Sequence, residues 1–274
     1  MSHFSLGVIL NKKEYGIKKL LDFTAIESAV DRILEPFDEN KVVDEYIQYT
    51  KEELIEKAKE NNEEYKNTTY AEFLKDTKAY KEKYKDSPSH LNYLENEFPK
   101  VLKMTDEELY QREIAGYENC IDEDGNITSI YNPNSKWDWY EIGGRWAEML
   151  SVGKEKVDYA VMTDINFNPK PTKEEIEEYT KDWNNVMNGK SFYTAEYYLE
   201  RYGSLENYIK ECSRISTFAL LTPDGEWHEP GQMGYFGIST ATTDDEKKFK
   251  DEYMNIINKY NTDNYIFVVV DCHI

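Results

Sequence analysis

The sequence predicts an α+β fold in which strands near the two ends of the chain form one antiparallel or mixed sheet. Apolar runs of strand length lie at Phe4–Leu10 and Tyr265–Cys272. Residues 41–120, by contrast, are rich in Lys and Glu and poor in Gly, as is typical of exposed helices. This arrangement indicates a sheet with a largely helical insertion. We therefore expect a single α+β domain over residues 1–274, with 41–120 as a helical insertion or subdomain.

Four sequence signatures mark the starts of helices. In each, a Thr is followed three residues later by a Glu, so that both side chains can bond to backbone amides that the first helical turn leaves free. These capping boxes are Thr50–Glu53, Thr105–Glu108, Thr172–Glu175 and Thr243–Glu246. Apolar residues at spacings of three and four predict further helices near 24–36, 70–84, 88–102 and 195–211.

Apolar runs bounded by turn residues predict five strands. They are Phe4–Leu10, Tyr159–Ile165, Ile215–Leu221, Gly234–Ile238 and Tyr265–Cys272. The segment Thr222-Pro-Asp-Gly-Glu226 follows the third strand, and its Pro and Asp-Gly residues favour a tight turn. We therefore expect a hairpin in which the third strand pairs with Glu226–Glu229.

Charge and composition exclude several classes of protein. The 274 residues include 33 Lys and Arg against 54 Asp and Glu, which gives a formal net charge of -21. The phosphates of a nucleic acid would meet a repulsive field, so direct binding through a basic surface is not expected. Aromatic residues make up 14% of the chain, whereas disordered acidic chains contain few of them. The chain should therefore fold.

The sequence also predicts the compartment. No apolar run approaches the roughly 18 residues of a membrane span, so we expect no membrane partner. The first ten residues lack the basic region of a signal peptide. Cys120, Cys212 and Cys272 are odd in number and widely spaced, which argues against a disulfide framework and against a structural zinc site. A cytoplasmic protein without a metal is expected, in the host cytoplasm if a phage encodes it.

No familiar motif assigns a cofactor or a reaction. The sequence contains no Walker P-loop, GxGxxG, GxSxG, HExxH or kinase signature, and we expect no cofactor. The segment Asp122-Glu-Asp-Gly-Asn126 resembles half of a calcium loop, but its Gly is at the fourth position and no Glu follows at the twelfth. It is expected to form a turn. No residue is assigned a catalytic role.

The densest cluster of candidate ligand-binding residues is Tyr131–Trp146. This segment holds three of the five Trp, namely Trp137, Trp139 and Trp146, together with Tyr140, a Gly pair and Arg145. An Arg offers a planar fork of donors, and the Gly pair permits a close approach of the backbone, so the segment is suited to an anionic, planar or nucleotide-like ligand. The alternative is that the Trp residues anchor the core and that Arg145 pairs with a buried carboxylate.

Histidines lie in two further segments. Trp227 and His228 follow the predicted turn, and His228 is a possible ligand contact or general acid–base, oriented by Glu229 if the backbone bends there. At the C-terminus, Asp271 and His273 are two residues apart and should share one face of the last strand, with Cys272 between them as a potential nucleophile. The alternative for the first segment is a loop that joins two strands, and the alternative for the C-terminus is an ordinary strand end whose polar residues contact water.

Several segments together resemble one family. NPNSKWDWYEIGGRW, the upstream EPFDEN, YLERYG, WHEPGQMG and the terminal VVDCHI look like a family of uncharacterised proteins from bacterial genomes, phages and mobile elements. The resemblance spans nearly the whole chain and implies no catalytic residue. It implies a context, because accessory genes of phages often counter host immunity by sequestering nucleotide signals or by blocking defence proteins.

Three functional hypotheses follow. The first is an accessory protein that counteracts bacterial immunity by sequestering a small nucleotide-like signal, with Trp137, Trp139, Tyr140, Arg145, Trp146, Trp227, His228 and His273 as ligand contacts. The second is an acidic inhibitor of a host defence protein, in which charge and Tyr mimic DNA at an interface. The third is a hydrolase or transferase that uses His228 and His273. An oligomer is compatible with all three.

Overall fold

The structure is a computed structural model that describes residues 2–18, 22–234 and 238–274. It has the expected α+β fold, with a mixed sheet that pairs strands from both ends of the chain. The chain divides into two compact units. The first, here called the sheet unit, consists of Met1–Lys41 and Asn132–Ile274, and the second, the helical unit, is Val42–Tyr131.

The elements of the described residues are numbered along the chain. The strands are β1 His3–Asn11, β2 Val42–Tyr49, β3 Ile127–Tyr131, β4 Trp139–Ile142, β5 Leu150–Val152, β6 Glu155–Val157, β7 Tyr159–Val161, β8 Ala219–Leu221, β9 Trp227–His228 and β10 Tyr265–His273. The α-helices are α1 Phe23–Leu34, α2 Lys51–Tyr65, α3 Ala71–Lys75, α4 Thr77–Lys83, α5 Pro88–Asn92, α6 Phe98–Val101, α7 Asp106–Glu113, α8 Lys173–Met187, α9 Ala195–Tyr202, α10 Leu205–Ser213 and α11 Thr243–Tyr260.

The main sheet is built around the two terminal strands. Its order is β4-β10-β1-β8-β9, and β7 also pairs with β10. β1 and β10 are antiparallel over their whole length, from the His3–His273 pair to the Asn11–Tyr265 pair. β8 lies parallel to β1, and β8 and β9 form the predicted hairpin. The central strands are therefore buried on both faces, which explains why they read as continuous apolar runs.

Each face of the sheet has its own core. On one face, Leu6, Val8 and Val268 pack with Ile26 and Val30 of α1. The opposite face, here called the α11 face, carries Ile9, Leu220, Phe267 and Val269, and α11 covers it with Phe249, Tyr253 and Ile257. Because side chains alternate along a strand, residues at odd positions of β1 and β10 point to the α11 face.

The helical unit holds several small cores. Phe98 and Leu94 are fully buried among the helices, and Ile127 packs with Leu54 and Tyr110. The unit runs to Tyr131 because β3 pairs with β2. Two stretches of π-helix, Lys66–Tyr70 and Tyr93–Glu97, interrupt its helices. The segment at Asp122 is the expected turn, in which the Asp122 amide donates to the Asn126 carbonyl at 3.0 Å.

Three of the four predicted capping boxes are confirmed, at Thr50, Thr105 and Thr172. The fourth was misplaced by one residue. The cap of α11 is Thr242, whose hydroxyl accepts from the Asp245 amide while the Asp245 carboxylate bonds back to the Thr242 amide. A Thr also stands at 242 and an Asp can replace the Glu of the motif, so the local sequence allowed both registers.

Two predicted strands are shorter than expected. The strand predicted over Tyr159–Ile165 ends at Val161, because Met162–Asp164 forms a 3₁₀ turn. The strand predicted over Ile215–Leu221 begins only at Ala219, because the Phe218 amide donates to the Ser5 hydroxyl instead of joining the backbone ladder. The predicted strand Gly234–Ile238 falls largely on residues 235–237, which lie outside the described residues. Among the described residues, no helix is long and apolar enough to cross a membrane.

Candidate functional site

The structure separates the aromatic residues that the sequence grouped over Tyr131–Trp146. Trp137 is buried in the core beneath α1, where its indole N–H donates to the Leu34 carbonyl at 3.2 Å. Trp146 is half-buried against the core of the α11 face. Tyr140 points to the α1 side and donates its hydroxyl to Asp31, and burial together with that carboxylate raises the pKa of Tyr140. These three residues act as core or supporting residues.

The structure also separates the side chains of Trp227, His228 and Glu229, which follow the predicted turn. Trp227 packs between the rings of Phe4 and Phe37 on the α1 side of the sheet. His228 points the other way, and its Nδ1 lies 2.6 Å from Oε1 of Glu252 on α11. Glu229 does not orient His228, because its carboxylate accepts from Lys136 and from the Trp227 indole.

His228 and His273 do not share a site. The register places His228 opposite Leu220 and level with Gly7, whereas His273 pairs with His3. Three strand spacings, about 14 Å in all, therefore separate the strands of the two histidines, and four residues, roughly 13 Å, separate them along the strand direction. Proton transfer needs direct or one-water contact, so the prediction that these two histidines form a shared acid–base site is wrong.

The structure instead brings His273 together with a histidine that sequence reasoning missed. His3, at the start of β1, pairs with His273 at the end of β10, and the two ring centroids are 5.0 Å apart. Nδ1 of His3 lies 2.8 Å from Oδ1 of Asp271, and Nδ1 of His273 lies 2.5 Å from Oδ1 of Asp138. We call these four residues the His–Asp centre.

Asp271 is held by the backbone of the Gly pair. Its carboxylate, only 2% exposed, accepts from the amide of Arg145 at 3.0 Å as well as from His3. Gly144 passes so close that an added Cβ would lie 2.4 Å from the Asp271 Cβ. The sequence offered pairing of Arg145 with a buried carboxylate as an alternative. The Asp271 carboxylate is such a group, but it accepts a hydrogen bond from the Arg145 backbone amide and not from the guanidinium. The Arg145 side chain is exposed and takes part in none of the ion pairs among the described residues.

Trp139 completes this end of the sheet. Trp139 lies on β4, opposite His273 of β10. Its ring centroid is 6.1 Å from the ring centroid of His3 and 6.4 Å from that of His273. Trp139 is 49% exposed, so one part of the indole is free to contact a ligand. The Nε2 atom of His273 is buried and has no hydrogen-bond partner in the described parts of the chain.

Cys272 is excluded as a nucleophile. It points to the α1 side, opposite to its neighbours Asp271 and His273, and is fully buried. Burial, with the nearby Asp271 charge, raises the pKa of the Cys272 thiol well above its ordinary value. A thiol of this kind stays protonated and inert.

A cavity of about 160 Å³ opens where α9, α10 and α11 meet the segment before β8. Its lining includes three cationic side chains, Arg201, Arg214 and Lys250, and two carboxylates, Glu211 and Glu246. We call this cavity the Arg201 pocket. A local excess of positive charge is unexpected in a chain with a net charge of -21, and it makes the pocket a candidate site for an anion.

The charges of the pocket hold one another in place. Arg201 donates to Glu246 at 2.9 Å and to the Tyr197 hydroxyl at 2.5 Å. Glu211 is shared between Lys250 at 3.0 Å and Arg214 at 3.5 Å. Burial lowers the pKa of Arg201, but Tyr202, Glu246 and Tyr197 outweigh burial and raise that pKa overall, so the guanidinium keeps its charge.

One donor of Arg201 remains unused. The Nε atom is buried and has no hydrogen-bond partner among the described residues, and Arg201 is one of the residues that line the cavity. A buried polar group without a partner is costly, by about 1–3 kcal/mol, and in native proteins it calls for a water, an ion or a ligand.

The floor of the pocket supplies hydroxyl groups. Tyr253 of α11 and Thr217 lie with their hydroxyl oxygens 3.2 Å apart, and the Tyr253 hydroxyl also accepts from the Thr217 amide. Burial raises the pKa of Tyr253 to about 12, so its hydroxyl keeps its proton at neutral pH. The Thr217 hydroxyl donates to the Ala219 carbonyl at 2.7 Å, so these hydroxyl groups bond to each other and to the backbone and form a neutral polar floor beneath the cations.

The Arg201 pocket and the His–Asp centre share one face and one end of the sheet. His3 and Asp271 point to the α11 face because they are even numbers of residues from Ile9 and Val269. The parallel register of Leu6 with Ala219 places the segment before β8 beside the start of β1. Thr217 of that segment contacts α11.

Comparison of the chain with models of known families, with characterised proteins and with solved structures finds no significant match. Within the described residues, no group of three or more His, Cys, Asp or Glu side chains is arranged to hold a metal ion. The sequence predicted the helices of the pocket, near 195–211 and after Thr243, but it singled out neither the charged residues of the pocket nor His3 as functional residues. Antiparallel pairing of the terminal strands was the one signal that could have found His3, because it makes the two ends of the chain neighbours.

Proposed function

We propose that this protein binds a small phosphorylated, nucleotide-like ligand, with a phosphate group in the Arg201 pocket. The observation that carries the proposal is the Nε of Arg201, which is buried and has no partner among the described residues, in a residue that lines a cavity with three cations and two carboxylates. Arginine presents a planar fork of donors that matches phosphate oxygens, and hydrogen bonds of this kind are among the strongest in proteins.

The size of the pocket limits which part of the ligand it encloses. Pockets for complete drug-sized ligands measure roughly 300–1,000 Å³. A cavity of about 160 Å³ suits a phosphate or a sugar phosphate. The rest of a nucleotide would then lie outside the pocket.

The biological setting of the proposal comes from the resemblance described above, which stays a prediction. A phage or mobile-element accessory protein that sequesters a nucleotide signal would act in the host cytoplasm, and the three free cysteines fit a reducing compartment. The ligand contacts we propose are those of the pocket, with Trp139, Arg145 and His273 as neighbours on the same face. The remaining predicted contacts are not ligand contacts in this proposal, because they pack against the cores or, for His228, bond to Glu252. They are Trp137, Tyr140, Trp146, Trp227 and His228.

Calorimetric titration against AMP, ADP-ribose and cyclic dinucleotides tests the proposal. We expect binding by at least one of these ligands, and we expect the R201M/E246Q variant to bind it about 10–100-fold more weakly, since each charge-assisted hydrogen bond contributes about 1.5–3 kcal/mol. The double substitution avoids leaving Glu246 without its partner.

The matched control is K41M, which removes one cation of an exposed ion pair with Glu35 elsewhere in the sheet unit. Its affinity should equal that of the wild type. If no ligand of the panel binds at high micromolar concentration, or if both variants lose affinity equally, the pocket is not the binding site.

A second candidate, inhibition of a host defence protein, is favoured by an exposed aromatic segment before α9. Phe192 is 96% exposed and Tyr193 is 50% exposed, and such side chains are enriched where proteins meet. We expect a partner captured from a bacterial lysate to be lost from an F192S/Y193S variant and to be weakened by salt. Capture that neither the substitutions nor high salt reduces would contradict this candidate.

A further inference from the structure

Strand β2 of the helical unit has a free edge. It is eight residues long and forms a two-stranded ribbon with β3. In the described parts of the chain, no other strand or side chain bonds to the opposite edge of β2. A strand edge of this kind presents unpaired amide and carbonyl groups, which are a template for a further strand.

The outer face of the ribbon is apolar and open to solvent. Ile127 of β3 is buried, so the neighbouring Thr128 points to the outer face. Ile47 pairs with Thr128, and Ile130 is two residues from Thr128, so both isoleucines lie on that face. Ile47 is 52% exposed and Ile130 is 49% exposed.

Two further apolar side chains stand at one end of the ribbon. Val42 pairs with Tyr131, and these residues are 70% and 75% exposed. Exposed apolar side chains that are grouped in this way mark a site of interaction, because a partner that covers them removes them from water. A strand added to β2 would place its own side chains beside Val42 and Ile47.

The charge of β2 determines which kind of strand fits. Asp44 is exposed and takes part in no ion pair among the described residues, and Glu45 accepts from the Thr128 hydroxyl at 2.7 Å. Lys51, the first cation after the strand, is already paired with Glu107 at 2.8 Å. The helical unit as a whole contains 22 Asp and Glu residues against 12 Lys and Arg residues. A basic segment is therefore attracted to this edge.

The same carboxylates disfavour a second copy of this chain as the occupant. Antiparallel pairing of β2 with another β2 would bring Asp44 and Glu45 close to the same carboxylates of the second chain. Like charges that face each other across two strands destabilise the pairing.

We propose that the helical unit binds an extended, basic segment of a partner protein, which adds as a strand to the free edge of β2. Hydrogen bonds between the two backbones supply affinity, and alternate side chains supply the choice of partner. Lys or Arg side chains of the segment lie near Asp44 and Glu45, and its apolar side chains lie beside Ile47.

Fluorescence anisotropy with three labelled peptides tests the proposal. The first has alternating Lys and Val residues and the eight-residue length of β2, and we expect saturable binding at micromolar concentration. In the second, Glu replaces Lys, and its affinity should be at least about 10-fold lower. The third has the sequence of the first, but all its amide nitrogens are methylated. It keeps the charge and cannot donate to β2, so it should not bind.

Hydrogen exchange locates the bound peptide. The amide protons of β2 that face the free edge should exchange more slowly when the Lys/Val peptide is present. The methylated peptide should leave their exchange unchanged.

Substitution of the two outer isoleucines tests the apolar contribution. The I47S/I130S variant should bind the Lys/Val peptide about 10-fold more weakly, because less apolar surface is buried. Both side chains are about half exposed, so the melting temperature should stay near that of the wild type. The matched control is L74S, which changes a side chain that is 58% exposed on α3 of the same unit. Its affinity should equal that of the wild type.

Substitution of the strand carboxylates tests the electrostatic contribution. The D44N/E45Q variant should bind the Lys/Val peptide about 3–10-fold more weakly, and its affinity should depend less on salt. The matched control is E56Q/E60Q, which removes two exposed carboxylates from α2 of the same unit. It should bind the peptide as the wild type does.

Three outcomes would overturn the proposal. They are no binding of the Lys/Val peptide at high micromolar concentration, equal binding of the methylated peptide, and equal affinities of the edge variants and their controls. A dimer of the free chain that is lost in I47S/I130S, together with no peptide binding, would assign the edge to a second copy and contradict a basic partner.

Discussion

Replacing Gly144 by alanine is expected to lower the free energy of unfolding by about 2–4 kcal/mol. Two costs combine at this position. The backbone has a φ of +51°, which disfavours any residue with a Cβ, and the new Cβ would lie 2.4 Å from the Asp271 Cβ. Asp271 is unable to retreat, because β10 pairs with a strand on each side. Urea denaturation followed by circular dichroism measures the loss.

Gly153 provides the matched control. Its φ is +61°, but a Cβ there would meet no atom within 4 Å. The G153A variant therefore carries only the conformational cost, about 1–2 kcal/mol. An equal loss of stability in G144A and G153A would show that the close approach to Asp271 does not exist.

Replacing Phe267 by alanine is expected to lower the free energy of unfolding by about 3–5 kcal/mol. Phe267 is fully buried in the core of the α11 face, where it contacts Phe167 edge to face at 5.3 Å between centroids. Its ring fills the space above Gly7, since a Cβ at Gly7 would lie 2.4 Å from the Phe267 Cζ. Removing the ring leaves a cavity between β1 and α11.

A double-mutant comparison sharpens this prediction. G7A alone should destabilise the wild type by overpacking, and in the F267A background it should cost less, because the clash with Phe267 is gone while the close contact with Leu220 Cδ2, at 2.7 Å, remains. Phe23, which is 46% exposed, is the control, and F23A should cost less than about 1 kcal/mol. A loss below 1 kcal/mol in F267A, or no difference between the two effects of G7A, would contradict the described core.

Elements with a strong local signal could be predicted from the sequence. β1 and β10 are fully buried and read as apolar runs, and the helices that begin at Thr50, Thr105 and Thr172 carry complete capping boxes. β2 was missed because most of its residues are exposed, so it shows no alternation of buried and exposed residues. β4 was missed because four residues at the edge of the sheet are too short to show a period.

The candidate site was less predictable because its residues meet only in the folded chain. His3 and Asp271 are 268 residues apart, and their contact depends on the exact register of two strands. Arg201, Arg214 and Lys250 come from separate segments in which a charged residue is indistinguishable from an ordinary solvated one. Arg145 was singled out for its guanidinium, whereas the contact that the structure shows is made by its backbone amide, which donates to Asp271.

The most direct test of the central claim, that the Arg201 pocket binds a phosphate group, is a crystal structure with the tightest ligand of the calorimetric panel. We predict a phosphate oxygen within hydrogen-bond distance, about 3 Å, of Nε of Arg201. The guanidinium should also keep its contact with Glu246. A ligand bound elsewhere, with the Nε of Arg201 still without a partner, would contradict the account.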